Sequence, residues 1–212
     1  MSSPLRRTAC AQCLRPQSTC ICQWIRPTAH QVEVLVLQHP LEVDQAKGSA
    51  RLLCMSLANS RLVTGETFDE AELNALLTQP GWGQAADALP RQPVLLYPAT
   101  PLNPAPIGPV VGVPAPTDPH HLRLVVLDGT WRKSRKMLHQ NPVLHTLPRL
   151  ALCDVPPSHY RIRKAHRPDQ LSTLEATCAA LAQLEGDAAP FEPLLQAFDG
   201  FVAQQMAYRP VV

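Results

Sequence analysis

Two groups of residues in this chain have the types and spacing that chemistry needs. The first is Cys10, Cys13, Cys20 and Cys22, in "CAQCLRPQSTCIC". Four thiolates so close together can complete a tetrahedral shell around zinc and hold a segment too short to fold by burial alone. A shell closed by four cysteines leaves no position for substrate, so the metal would be structural. An iron–sulfur cluster or four free thiols are the alternatives. The second group lies in "LVVLDGTWRKSRKML", Leu124 to Leu138, where Asp128 ends an apolar run and Thr130 is placed to cap a helix starting at Trp131. A carboxylate where strand gives way to helix stands where backbone amides and helix N-termini converge on ligands in α/β folds. Taken alone, Asp128 could equally be a helix cap, and Trp131 a packed aromatic.

Two further stretches shift that balance toward function. "SHYRIRKAHRP" (Ser158 to Pro168) sets Tyr160 among Arg161, Arg163 and Lys164, which combines phosphate donors with a ring able to stack on a base. "RPDQLSTLEA" (Arg167 to Ala176) runs into a helix N-terminus whose free amides could receive a carboxylate. Charge is concentrated in the same part of the chain. From Asp128 to Pro168 there are nine Lys and Arg against two acids, a net +7 within a total of +2, so the remainder carries −5. A near-neutral total thus conceals one basic surface suited to a polyanion.

The elements that must position these residues follow from periodicity and punctuation. "QVEVLVLQ" (Gln31 to Gln38), "PVLLYP" (Pro93 to Pro98) and "HLRLVVLD" (His121 to Asp128) are short, apolar and rich in β-branched residues, the pattern of buried strands. "LPRLALCDVP" is a fourth candidate strand. A helix is expected over Leu52 to Asn59, a second in "TFDEAELNALLTQ", and a third from Trp131. "LSTLEATCAALAQLEG" carries a capping box, Ser172 with Glu175, and closes on Gly186; "FEPLLQAFDGFVAQQMAYR" supplies a last amphipathic helix. The prolines between 99 and 120 exclude both helix and central strand, which leaves a long loop. Strands alternating with helices predict a parallel or mixed sheet covered on both faces.

The 212 residues suffice for one such core with a small appended module. No apolar run of about 18 residues is present to span a bilayer, and the basic N-terminus has no apolar stretch behind it to act as a secretory signal. A cytoplasmic protein is expected. Cys54, Cys153 and Cys178 sit in apolar surroundings and read as buried small hydrophobes, not as parts of a disulfide framework.

Taken together and in order, the four cysteines, "QHPLE" (Gln38 to Glu42) with "LLCMSLANS", "LLYP", "LDGTW", "SHYRIRK" and "LSTLEA" resemble the DTW-domain family, which includes bacterial tRNA-uridine aminocarboxypropyltransferases. The resemblance runs from about Cys10 to Ala176. It implies an α/β, SPOUT-like knotted sheet with flanking helices, divided into a four-cysteine zinc module over 1–29 and a DTW catalytic domain over 30–212. It also implies transfer of the 3-amino-3-carboxypropyl group of S-adenosylmethionine to N3 of a tRNA uridine, with methylthioadenosine as by-product. On that reading Asp128 is the general base for the N3 proton. Tyr97, Thr130, Leu171, Ser172 and Thr173 line the S-adenosylmethionine pocket, and Arg132, Lys133, Arg135, Lys136, Tyr160, Arg161, Arg163 and Lys164 receive the tRNA. The chain departs from the family pattern at Gly48-Ser49, where an Asn-Thr pair is expected, and in a longer Pro-rich connection after Tyr97.

Two other functions fit parts of the same sequence. An S-adenosylmethionine-dependent RNA methyltransferase could use the same fold, and would release S-adenosylhomocysteine instead of methylthioadenosine. A zinc-stabilised RNA-binding protein without catalysis would account for the cysteines and the basic block, but leaves Asp128 and "LSTLEA" without a role.

Overall fold

The computed structural model describes residues 8–98, 118–152, 158 and 171–208. Five parallel strands form one sheet: β1 (Glu33–Gln38), β2 (Ser60–Thr64), β3 (Gln92–Leu96), β4 (Leu122–Asp128) and β5 (Arg149–Leu150). Their order is β2-β1-β4-β3-β5. Every residue of β1 and β4 is buried, as expected of central strands covered on both faces. Alternation along each strand divides the core. Val34, Val36, Leu124 and Val126 face one apolar cluster, and Leu35, Leu37, Val125 and Leu127 face the other.

Helices cover both faces. α1 (Ala50–Ser56), α4 (Thr173–Glu185) and α5 (Glu192–Ala207) pack on the first cluster through residues such as Leu52, Leu174, Leu181, Phe198 and Phe201. α2 (Glu70–Thr78) and α3 (Trp131–Gln140) pack on the second through Leu73, Leu77, Met137 and Leu138. The helix after β1 therefore goes to one face and the helix after the adjacent β4 goes to the other. Between the carboxyl ends of two such strands the connections diverge and leave a crevice, the usual ligand position in open parallel sheets. Gln38 and Asp128, the last residues of β1 and β4, are register partners there.

The cysteine-bearing segment docks on the first face. Cys13 and Ile21 are fully buried in the same cluster as Val34 and Phe201. Trp24 donates to Gln204 of α5 at 2.5 Å and packs against Gly200, where the indole leaves no room for a Cβ.

Three expectations change. Ser60–Thr64 is a strand that the sequence pattern does not announce; it lies at the sheet edge with half-buried and exposed residues, so it lacks the apolar run of a central strand. The helix expected to reach Asn59 ends at Ser56, because the chain must turn there to enter β2. The connection expected to remain loop through residue 120 ends in a 3₁₀ turn, Pro119–His121, whose cap Asp118 accepts from the His120 amide at 3.0 Å. No helix among the described residues is long and apolar enough to cross a membrane.

Candidate active site

Asp128 is 3% exposed, and both its oxygens are held. Oδ2 accepts from Gln38 Nε2 at 2.8 Å, and Oδ1 accepts from the Thr173 hydroxyl at 2.6 Å. The ties run to β1 on one side and to the first turn of α4 on the other, so three elements fix one carboxylate. Because a carboxylate only accepts, the amide of Gln38 must present its nitrogen. The backbone carbonyl of Asp128 also accepts from the His39 amide at 3.0 Å. The imidazole of His39 accepts from the Leu41 amide at Nδ1 (3.1 Å), so its Nε2 is the nitrogen that donates to Glu66, at 2.8 Å.

The turn after Asp128 is built as the sequence predicts. Thr130 is the N-cap of α3 and its hydroxyl accepts from the Lys133 amide at 3.4 Å. Trp131 is 52% exposed and meets Tyr97 edge to face, with ring centroids 6.0 Å apart. Burial raises the Tyr97 phenol above its ordinary pKa, against the opposing pull of Arg135 and Arg149. The guanidinium of Arg149 lies over the Tyr97 ring, 5.3 Å from its centre. Tyr97 belongs to the cluster on the second face, whereas Leu174 of the α4 first turn belongs to the first. The residues expected to line one pocket therefore lie in two groups around the same carboxyl ends of the strands, with Ser172 and Thr173 beside Asp128 in one and Tyr97 and Thr130, next to Trp131, in the other.

At the start of α4 the capping box is complete. Ser172 Oγ accepts from the Glu175 amide at 3.2 Å, and Glu175 accepts from the Ser172 amide at 2.7 Å. The Ser158 hydroxyl also donates to Glu175, at 3.0 and 2.9 Å to its two oxygens. Ser49 Oγ accepts from the Leu174 amide at 3.3 Å, so the position that departs from the family pattern still makes a polar contact. This narrows the expectation that the amides here are free for a ligand carboxylate. Those of Ser172, Leu174 and Glu175 are taken by the chain's own side chains.

Of the basic residues on α3, Lys133 pairs with buried Glu42 at 2.7 Å and Lys136 with Glu66 at 2.9 Å, while Arg132 and Arg135 are exposed. Tyr160, Arg161, Arg163 and Lys164 lie outside the described residues, as does Cys153. Burial pushes the thiols of Cys54 and Cys178 up to about 12, so both stay neutral; Cys178 is buried, and Cys54 is half-buried against the same cluster. A cavity of about 560 Å³ lined by Gln84, Arg91, His120 and His121 opens at the opposite, amino ends of the strands, away from Asp128.

The four cysteines converge as their spacing suggests. Their sulfurs all lie within 4.8 Å of one another, with Cys10 and Cys22 at 3.6 Å and Cys13 and Cys20 at 3.8 Å. Four sulfurs about 2.3 Å from a central zinc would be separated by about 3.8 Å along each tetrahedral edge, so the donor set fits. Amide donors from Cys13 and Gln12 lower the Cys10 thiol to about 6, whereas desolvation raises Cys22.

Sequence reasoning missed Gln38 and Arg149. Gln38 reads as the polar end of a strand. Arg149 was counted in the basic block, although a lone Arg between apolar neighbours in "LPRLAL" was itself a signal of a buried charge.

The chain matches the DTW domain over residues 7–206. It is 31% identical over 190 residues to tRNA-uridine aminocarboxypropyltransferase 2 of Drosophila melanogaster, which covers 86% of this chain and 68% of the fly protein. The enzyme of the same name from Mus musculus is 26% identical over 221 residues, covering 96% of this chain and 65% of its own length. tRNA-uridine aminocarboxypropyltransferase A of Arabidopsis thaliana is 26% identical over 150 residues, covering 66% and 53%. The chain thus spans about two thirds of the animal relatives' length and about half of the plant relative's. No solved structure matches.

Proposed function

Since the chain belongs to the DTW-domain family, we propose that it is a tRNA-uridine aminocarboxypropyltransferase using S-adenosylmethionine as donor. The observation that carries the site assignment is Asp128, a buried carboxylate at the divergence of β1 and β4 with Gln38 and Thr173 on its two oxygens. The donor supplies a sulfonium that activates its three-carbon substituent toward a nucleophile. Asp128 takes the proton from uridine N3 as the N–C bond forms and the C–S bond breaks, with the bond pair leaving on sulfur in methylthioadenosine. A carboxylate can accept about four hydrogen bonds, so being held by Gln38 and Thr173 is compatible with receiving a proton. The two donors fix its direction, which is worth most when the base must meet a single N–H.

Tyr97, Thr130, Leu171, Ser172 and Thr173 border the donor, and Arg132, Lys133, Arg135 and Lys136, with Tyr160, Arg161, Arg163 and Lys164, receive the tRNA backbone. Cys10, Cys13, Cys20 and Cys22 hold a structural zinc in a module over 1–29 ahead of a catalytic domain over 30–212. A SPOUT-like knotted arrangement and a cytoplasmic location are part of the same reading.

Mass spectrometry of tRNA nucleosides, with the small-molecule product assayed in parallel, tests the function. The expected products are aminocarboxypropyluridine and methylthioadenosine. Methyluridine with S-adenosylhomocysteine would instead make the protein a methyltransferase. Elemental analysis should find one zinc per chain, lost in Cys13→Ser.

A further inference from the structure

Arg149 has no role in the fold or in the reaction as described so far. It is 7% exposed, on β5 opposite Leu95. Its Nε and Nη2 have no hydrogen-bond partner among the described residues. Burial pulls its pKa down, and among the described residues the one ionisable side chain that supports its charge is the Tyr97 phenol. A guanidinium withdrawn from water is ordinarily matched by acceptors, since an unpaired buried charge is costly.

The two bare nitrogens are not an arbitrary pair. Nε–H and Nη2–H point in parallel from one edge of the planar guanidinium, and that edge accepts the two oxygens of a carboxylate side by side. A partner that fits this edge brings two oxygens side by side. It must also be small, because a tRNA phosphodiester on an extended backbone is poorly suited to a side chain this deeply covered.

The remaining observations identify a source. Three amides at the start of α4, those of Ser172, Leu174 and Glu175, are occupied by Glu175, Ser49 and Ser172. Fewer amides are then left there for a donor's carboxylate, and the guanidinium fork is a stronger anchor for it. Arg149 lies one strand beyond β3, about 10 Å from β4 by two strand spacings. Its guanidinium lies over Tyr97, just past the carboxyl end of β3. Asp128 stands at the carboxyl end of β4, so both groups lie along the same carboxyl edge of the sheet.

We infer that Arg149 binds the carboxylate of the donor's aminocarboxypropyl group through the Nε and Nη2 edge, an assignment that rests on the function proposed above. Holding that carboxylate fixes one end of the group to be moved. It favours transfer of the three-carbon chain over the methyl group attached to the same sulfur, so Arg149 is a specificity-determining residue.

Calorimetry on the full chain tests this without catalysis, with S-adenosylmethionine and its decarboxylated analogue, which carries aminopropyl in place of aminocarboxypropyl. The wild type should bind the donor roughly 10- to 100-fold more tightly than the analogue. Arg149→Met should lose that preference by weakening the donor alone, and Arg149→Lys, with charge but no fork, should recover part of it. Equal affinities in the wild type, or a preference undiminished in Arg149→Met, would overturn the inference. So would an Arg149→Met variant that keeps its donor affinity and instead binds tRNA more weakly with a shallower salt slope, since the guanidinium would then hold phosphate. Melting curves accompany each variant; if Arg149→Met fails to fold, the wild-type ratio and Arg149→Lys decide. A wild type that binds neither compound contradicts the proposed function itself, and is thereby distinguishable from a wild type that binds both alike.

Discussion

At the amino ends of the strands, Arg123 is fully buried and well matched. Its Nε and Nη2 donate to Glu33 at 3.1 and 2.6 Å, Nη1 donates to the Leu76 carbonyl at 2.6 Å, and Trp82 lies against its face at 4.9 Å. At the carboxyl ends, Arg149 presents the same edge, Nε and Nη2, to nothing among the described residues. One sheet thus buries two arginines, one with a built-in carboxylate and one with none among the described residues. The difference separates a charge that organises the fold from a charge kept ready for a ligand. Asp128 belongs to the second end, where the connections of β1 and β4 diverge.

The comparison can be broken most forcefully at Glu33. Glu33→Gln leaves Arg123 without its counter-charge in the core, and should destabilise the protein by about 3–5 kcal/mol, read by denaturant unfolding. If that variant is as stable as the wild type, the amino-end pair is not structural and the contrast with Arg149 fails. At the other end, Thr173→Val removes one donor to Asp128. It should slow transfer by about tenfold while costing about 1.5–3 kcal/mol or less in stability, and the rate effect should disappear when Asp128 is already Asn, as expected for residues acting as a unit.

A pH titration sharpens the same contrast. Burial raises the pKa of Glu33, but its bonds to Arg123 and Arg91 outweigh burial and hold it below the ordinary carboxylate value. A group depressed in the folded state contributes stability above its unfolded pKa, about 4.3, and that contribution is lost as pH falls through the lower folded value. Acid unfolding monitored by circular dichroism should therefore lose this component in Glu33→Gln, whose curve should be flatter below the ordinary glutamate range. The smallest effect is expected at the surface. Lys136→Ala should leave thermal stability nearly unchanged and reduce the salt slope of tRNA binding by about one, measured by filter binding across ionic strengths.

What the sequence announced and what it concealed divide along lines of range. The capping box at Ser172 and Glu175, the αL residue Gly186 with φ 72°, the Thr130 cap and the cysteine cluster all depend on partners within about a dozen positions, and their spacing shows them. Asp128 was visible as an acid at the end of an apolar run. Its partners were not, because Gln38 and Thr173 are 90 and 45 positions away and are brought together only by strand order. β2 escaped notice because an edge strand needs no continuous apolar run. Arg149 was visible as a charge, but the absence of a hydrogen-bond partner for its Nε and Nη2 among the described residues is a property of packing. The occupied Leu174 amide was hidden for the same reason, since Ser49 arrives from α1's N-cap, 125 positions distant.

Single-turnover transfer by Asp128→Asn, with purified tRNA and saturating S-adenosylmethionine, bears most directly on the central claim. The substitution keeps size and shape, turns one acceptor oxygen into a donor that Gln38 can meet by turning its own amide, and removes the proton acceptor. Methylthioadenosine formation should fall about 10²- to 10⁴-fold, with donor affinity and melting temperature close to wild type. A variant that turns over at the wild-type rate would show that the nucleobase loses its proton elsewhere, and that the buried carboxylate between β1 and α4 only holds the fold.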